Sequence, residues 1–292
     1  MFDICSADRR LGPRDRPIFG WVDIDDYRAR PGKKLALDDI DPQATPHWNP
    51  SDRAAAEERS AALNLRIEVL QELLWAQGKE RVLVVLQAMD AGGKDGTIKR
   101  VFEHVNPSGV RVASFKKPSD LELDHDYLWR VHQQVPANGE LVIFNRSHYE
   151  DVLIVRVLDL VPEAMWRKRY RHIRDFEQLL VDEGTTIVKI FLHISKEEQR
   201  DRLQDRLDRP EKNWKFDPGD LVQRQHWSDY MAAFAEAIEE TSTERAPWYV
   251  VPANRKWYRD LVVSEILVQT LEGLQMTFPP APPDIAGMVI PD

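Results

Sequence analysis

Residues 90–97 read Asp-Ala-Gly-Gly-Lys-Asp-Gly-Thr, a turn in which Gly92, Gly93 and Gly96 surround Lys94. The apolar stretch 82–86, Val-Leu-Val-Val-Leu, runs into it, and the helix-compatible segment 98–102 follows. A strand, a glycine turn and a helix in that order suit phosphate binding. Glycines let successive N–H groups converge on an anion at the positive end of a helix. Lys94 adds a point charge able to follow a moving phosphoryl group. The match to the P-loop (Walker A) pattern is partial: Ala88 replaces its first glycine, and Asp95 stands where Ser or Thr would reach magnesium. On these residues alone, a strand-to-helix turn with glycines for close packing stays open. Asp90 can aim a carboxylate at a transfer site, to hold magnesium or orient an acceptor phosphate. Its alternative is an Asx-type turn cap.

Two further stretches carry chemistry-bearing side chains. At 145–151, Asn-Arg-Ser-His-Tyr-Glu-Asp closes another apolar run. P-loop enzymes commonly offer the metal a carboxylate at such a strand end; here stand Asn145, then Arg146, suited to bidentate phosphate recognition, and Glu150. His148 and Tyr149 read as side chains packed against a helix. At 200–216, Arg202, Arg206 and Arg209 recur at helical spacing and share one face, beside an acidic stripe of Asp201, Asp205 and Asp208. That pattern is either an intrahelical salt-bridge lattice or a basic helix that runs past Pro210 into a loop with Lys212 and Lys215, a lid over phosphates. A second basic segment, Arg167, Lys168, Arg169, Arg171 and Arg174, either extends a positive track or faces water. Lys116 and Lys117 follow the second strand, where an acceptor or a chain could pass.

The elements that must position these groups are legible from periodicity. Strand-like runs at 82–86, 110–115, 140–145, 186–194 and 248–251 alternate with helical patterns, which predicts a parallel sheet with helices on both faces. Ligands bind such sheets at the carboxyl ends of the strands. Ser51 is the expected N-cap of a long helix that places Leu63, Ile67, Leu70 and Leu74 on one face and closes at Gly78. Ser195-Lys196-Glu197-Glu198 reads as a capping box, and a last helix covers about 257–274. Proline-punctuated residues 1–50 read as an extended arm, 51–275 as one domain with a lid at about 200–218, and 276–292 as a proline-rich tail. The 292 residues can bury a sizeable core. One cysteine allows no intrachain disulfide, as expected of a cytoplasmic protein. A net charge of −9 argues against a nucleic-acid binder, and no long apolar segment points to a membrane. Any polyanion must be received by a local basic site.

Five blocks, AMDAGGKDGTIKRV, SFKKPSDLELDHDYLWRVHQ, IFNRSHYEDVL, HISKEEQRDRLQDRLDRPEKNWKFDPGD and APWYVVPANRKWYRDL, resemble the polyphosphate kinase 2 family, in order from about Tyr27 to about Leu274. The resemblance implies a thymidylate-kinase-like fold: a three-layer αβα P-loop kinase with a central five-stranded parallel sheet and a helical lid. It implies transfer of phosphate from inorganic polyphosphate to adenine or guanine nucleotides, with magnesium or manganese, in a homo-oligomer. Asn145 with Glu150 resembles the class III subgroup, which accepts both AMP and ADP. Spacing and resemblance together assign Ala91, Gly92, Gly93, Lys94, Asp95, Gly96 and Thr97 to a phosphate cradle. Asp90, Lys94 and Arg146 become the transfer residues, with Asp90 and Glu150 toward the metal. Lys116, Lys117, Arg130, Asn145, Arg202, Arg206, Arg209, Lys212 and Lys215 become the lining of the phosphate and nucleotide site. Asn254, Arg255 and Lys256 follow the fifth strand, where related kinases run a loop past the base. An ATP-dependent nucleoside monophosphate kinase, or a phosphate-binding scaffold without catalysis, are the alternatives.

Overall fold

The computed structural model describes residues 22–285 and 288–290; the outermost parts of the expected arm and tail lie outside them. In chain order the elements are α1 Arg53–Gln77, β1 Arg81–Gln87, α2 Lys94–Val101, β2 Val110–Ser114, α3 Asp120–Leu123, α4 Trp129–His132, β3 Leu141–Asn145, α5 Ile154–Val157, α6 Glu163–Asp182, β4 Thr185–His193, α7 Lys196–Asp208, α8 Pro218–Gln225, α9 Trp227–Thr241, β5 Trp248–Pro252 and α10 Lys256–Gly273. All five strands pair in parallel, in the order β2-β3-β1-β4-β5.

β1 is the middle strand and is covered on both sides, which explains its unbroken apolar run. Its side chains alternate between two cores. Val82, Val84 and Leu86 join Leu63, Ile67, Leu70 and Leu74 of α1 and Ile266 of α10. Leu83 and Val85 join Phe144, Tyr170 and Ile173 of α6 and Phe234 of α9. With both flanks filled, the carboxyl end of β1 is held rigidly beside Asn145, which pairs with Leu86, and Phe191, which pairs with Gln87. The glycine turn leaves the sheet at that point, between neighbours reached by opposite crossovers, the place where open α/β sheets take their ligands.

Two local expectations are corrected. Ser51 does not cap α1. Pro50 starts a 3-10 turn over Pro50–Asp52 ahead of the helix, and the Asp52 carboxylate accepts from the Asn49 N–H (3.0 Å). The Ser195 capping box is half formed: its hydroxyl accepts from Glu198 N–H, but its own N–H donates to Asn254 Oδ1 (3.0 Å) rather than to Glu198. The described part of the expected arm, residues 22–50, packs against the sheet edge. Val22, Tyr27, Leu37 and Trp48 are buried, Ala29 N–H donates to Trp248 O (2.8 Å) and Arg28 bridges Tyr249 on the β5 edge. Asn254 N–H then donates to Pro42 O, and the Tyr258 hydroxyl to Pro46 O (2.9 Å). The segment is a strap across the ends of β4 and β5. Its apolar residues are too irregularly spaced to show a period.

Candidate functional site

The phosphate loop takes its shape from two tight positions. Gly93 precedes α2 at φ 107°, where a Cβ would collide with the Arg259 guanidinium, and a Cβ on Gly92 would stand 2.7 Å from Met89 O. α2 begins at Lys94, so its first N–H groups have no carbonyl one turn earlier. Thr97 is fully buried, with its hydroxyl oxygen unpartnered among the described residues. The Lys94 ammonium, also buried, donates to Ala88 O (2.9 Å) and Met89 O (3.4 Å). Burial, and then the neighbouring Arg146, lower its pKa below the ordinary lysine value. Asp95 sits in the first turn of α2, where a carboxylate offsets the helix dipole, and accepts from Asn145 Nδ2 (2.7 Å).

Arg146 follows β3 in a left-handed conformation (φ 62°), which turns its side chain back over the mouth of the loop. Its Nη2 donates to Asp90 Oδ1 at 2.5 Å. Burial opposes its charge, but Glu150 and then Asp90 outweigh that and raise its pKa. Burial pushes the Glu150 carboxyl up, while Arg146 and Lys94 pull it back. With its amide turned to satisfy both faces, Gln87 donates to Glu150 Oε1 (3.1 Å). Asp90, Lys94, Arg146 and Glu150 are therefore one electrostatic cluster at the end of β1. A small cavity of about 20 Å³, room for about one water, opens between Asp90, Arg146 and Glu150 and the lid-side residues Gln223 and Tyr230.

His148 and Tyr149 turn away from this cluster. His148 meets Glu177 on α6, and the Tyr149 hydroxyl donates to Glu177 Oε1 (2.7 Å). Arg130 is buried under Phe115 and donates to Lys116 O (2.9 Å), while Lys116 and Lys117 are exposed past β2. On α7 and the turn after it, Arg206 donates to Asp220 Oδ2 (3.1 Å) and Lys215 O, Arg209 pairs with Glu211 and Asp205, and Lys212 pairs with Asp205. Lys215 lies over the Trp214 ring. Arg202 differs from these, since all its bonds run inward: to Glu198, to Ala91 O and Gly92 O, and to Ala253 O and Asn254 O. The second basic segment is largely paired as well, Arg167 with Glu163 and Glu236, Arg169 with Asp151, and Arg174 with Glu240. Asn254 holds Ser195, and Arg255 donates to Gln43 O.

Sequence reading overlooked Gln199, Asp220 and the Arg259–Asp260 pair. Gln199 Nε2 donates to Asp90 O (3.0 Å), and Arg259 lies behind Gly93, held by Asp260. Burial and then the charge of Asp90 push the Asp220 carboxyl up to about 6, against Arg206. Gln199 stands three positions before Arg202 on the same helical face, a spacing that was available. Nothing in the sequence ties residue 259 to residue 93. No group of three or more His, Cys, Asp or Glu that could hold a metal occurs among the described residues.

Residues 28–279 match the model of the family described as Polyphosphate kinase 2. The AMP/ADP-polyphosphate phosphotransferase of Meiothermus ruber is 64% identical over 253 residues, 87% of this chain and 94% of that one. The ADP-polyphosphate phosphotransferase of Rhodopseudomonas palustris is 49% identical, over 75% and 80% respectively. The crystal structure of Polyphosphate Kinase 2 from Arthrobacter aurescens superposes with a TM-score of 0.85 at 46% identity, covering 89% of this chain and 92% of that one. A glycine turn at the end of the central strand, a lysine and an arginine facing two carboxylates there, and likeness along nearly the whole length agree: the chain belongs to the polyphosphate kinase 2 family.

Proposed function

We propose that the protein transfers the terminal phosphoryl group of inorganic polyphosphate to AMP and to ADP, giving ADP and then ATP. The observation that carries this is the cluster of Lys94, Asp90, Arg146 and Glu150 at the end of β1, in a chain so like an enzyme named for both acceptors. Phosphoryl transfer needs positioning and charge neutralisation more than covalent help. The N–H groups at the start of α2 receive the phosphoryl oxygens, and Lys94 leaves its loop carbonyls to follow the group in transit. Arg146 spans the oxygens of the second phosphate and is itself oriented by Asp90. Lid residues Arg206 and Lys215 close on the rest of the donor chain.

Magnesium, or manganese in its place, fits Asp90 and Glu150, because magnesium takes one or two carboxylates and fills its shell with phosphate oxygens and water. When bound it supplies neutralisation across the transferred group. Asn145 brings an amide where a carboxylate would add charge, which leaves an acceptor with one phosphate or two room to settle. The domain reading follows the same logic, with a kinase domain over 51–275 and its lid at 200–218. Family likeness also supports guanine nucleotides as further acceptors and a homo-oligomeric, cytoplasmic protein. No helix among the described residues is long and apolar enough to cross a membrane. The test is chromatography of reactions holding polyphosphate with AMP alone or ADP alone. Both should end in ATP; if ADP is consumed while AMP stays untouched, the dual-acceptor reading fails.

A further inference from the structure

Six consecutive carbonyls of the phosphate loop each accept from a side chain. Lys94 takes those of Ala88 and Met89. Gln199 takes that of Asp90 (3.0 Å), Arg202 those of Ala91 (3.1 Å) and Gly92 (3.0 Å), and Arg259 approaches that of Gly93 (3.5 Å). Apart from Lys94, the donors come from α7 and α10, behind the loop. In a trans peptide the C=O and the following N–H point in opposite directions. Carbonyls drawn toward α7 and α10 therefore leave the N–H groups of Ala91, Gly93 and Lys94 facing the other way, toward the open end of the sheet, while the Gly92 N–H closes the loop's own turn on Met89 O (2.9 Å).

We propose that Gln199, Arg202 and Arg259 are positioning residues that set the phosphate loop before substrate arrives, and that Arg202 is no phosphate ligand. Its guanidinium has five N–H bonds to give, and five are given: to Glu198, to two loop carbonyls, and to Ala253 O (2.6 Å) and Asn254 O at the end of β5. A planar fork can span these acceptors at once; a lysine at the same place cannot. Gln199 is fixed in turn, since Arg224 of α8 donates to its Oε1 (2.9 Å). α7 thus holds the loop with its first half and carries Arg206 into the lid with its second. Lid and loop are one mechanical unit. The inference rests on the reading above that the loop holds phosphate.

Arg202→Lys and Gln199→Glu test it. The first keeps the charge and loses the fork. The second keeps the shape and the Arg224 contact but sets an acceptor against Asp90 O. In the ligand-free protein, backbone amide exchange across 88–97 should quicken at least fivefold in both, with peptides elsewhere unchanged except, in Arg202→Lys, those around 253–254 that the same fork holds. With polyphosphate as donor, kcat should fall at least tenfold while KM for polyphosphate stays within twofold. Loop exchange equal to wild type in either variant overturns the proposal. So does a raised polyphosphate KM at unchanged kcat in Arg202→Lys, which would make Arg202 a direct ligand. If the wild-type protein made no nucleotide from polyphosphate, the functional reading would fall while the exchange measurement still decided the pinning.

Discussion

A methyl group on Gly93 would need a left-handed φ and the space held by the Arg259 guanidinium, while one on Gly96 meets only ordinary contacts, 3.7 Å from Arg259. Gly93→Ala should therefore lose both stability and nearly all turnover. Gly96→Ala lies inside α2, where alanine is favoured over glycine by up to about 1 kcal/mol, so its melting temperature should not drop. Thermal melts with steady-state rates decide this, and a Gly93→Ala protein with wild-type stability and turnover would refute the assignment. Any activity that Gly96→Ala loses at full stability reports a phosphate lying against that turn. The same reasoning separates Lys94 from its neighbours. Its ammonium is held on Ala88 O and Met89 O, and on the proposed mechanism the charge it lends to a phosphoryl group grows as that group moves. Lys94→Met should cost about 10²–10³ in kcat, with acceptor KM little changed. A folded Lys94→Met enzyme within tenfold of wild type would remove Lys94 from the transfer step.

Behind the site, α6, β4 and α9 meet in a buried polar knot. Lys189 Nζ reaches Glu177 Oε2 at 2.5 Å, Thr241 O and the Tyr149 hydroxyl, with all four residues buried. Burial pushes the Glu177 carboxyl up, yet Lys189 and His148 outweigh it and lower its pKa. Lys189→Met should cost about 3–5 kcal/mol, because it strands a buried charge, whereas adding Glu177→Leu should recover much of that. Denaturant midpoints of the single and double variants check the pair; equal losses would mean the charge is not what matters. α8 offers a pH test. Burial and Asp90 raise the folded-state pKa of Asp220 to about 6, so the stability linked to this group is complete below its ordinary 3.8 and is lost as pH rises through about 6. Asp220→Asn should match wild type near pH 4 and exceed it at pH 8; a constant difference across that range would contradict the shift. These elements also show what a sequence can disclose. Five strands were readable because strands covered on both faces read as short apolar runs set between helical patterns, and the Asp90–Thr97 turn because its chemistry is contiguous. Asp220 and Arg259 were not, and Gln199 only as a neighbour of Arg202 on its helix face, because each acts on a loop more than 100 residues away in sequence through contacts that only folding creates.

A chain of net charge −9 that handles a polyanion cannot rely on its overall field. Its attraction must be local, and on the lid much of it is already engaged. Arg209 is held by both Glu211 and Asp205, Lys212 by Asp205, and Arg206 by Asp220. Lys215 instead lies over Trp214, which is largely exposed, and Lys116 and Lys117 project past β2. On the proposed reading of this segment as a lid, a donor chain would meet Lys215 at once, exchange one carboxylate for Arg206, and have to displace two to recruit Arg209. The cost of truncation should follow that order of availability. Lys215→Ala and Arg206→Ala should raise KM for polyphosphate severalfold, most for short donors, which reach fewer substitute cations along the channel. Arg209→Ala should change it less than twofold. Raising salt from about 0.05 to 0.5 M shortens the screening length several-fold, and should raise KM for wild type more steeply than for Lys215→Ala. Arg209→Ala harming polyphosphate use as much as Lys215→Ala would mean that the acidic partners let go together, and that the lid recognises its donor as a block rather than cation by cation.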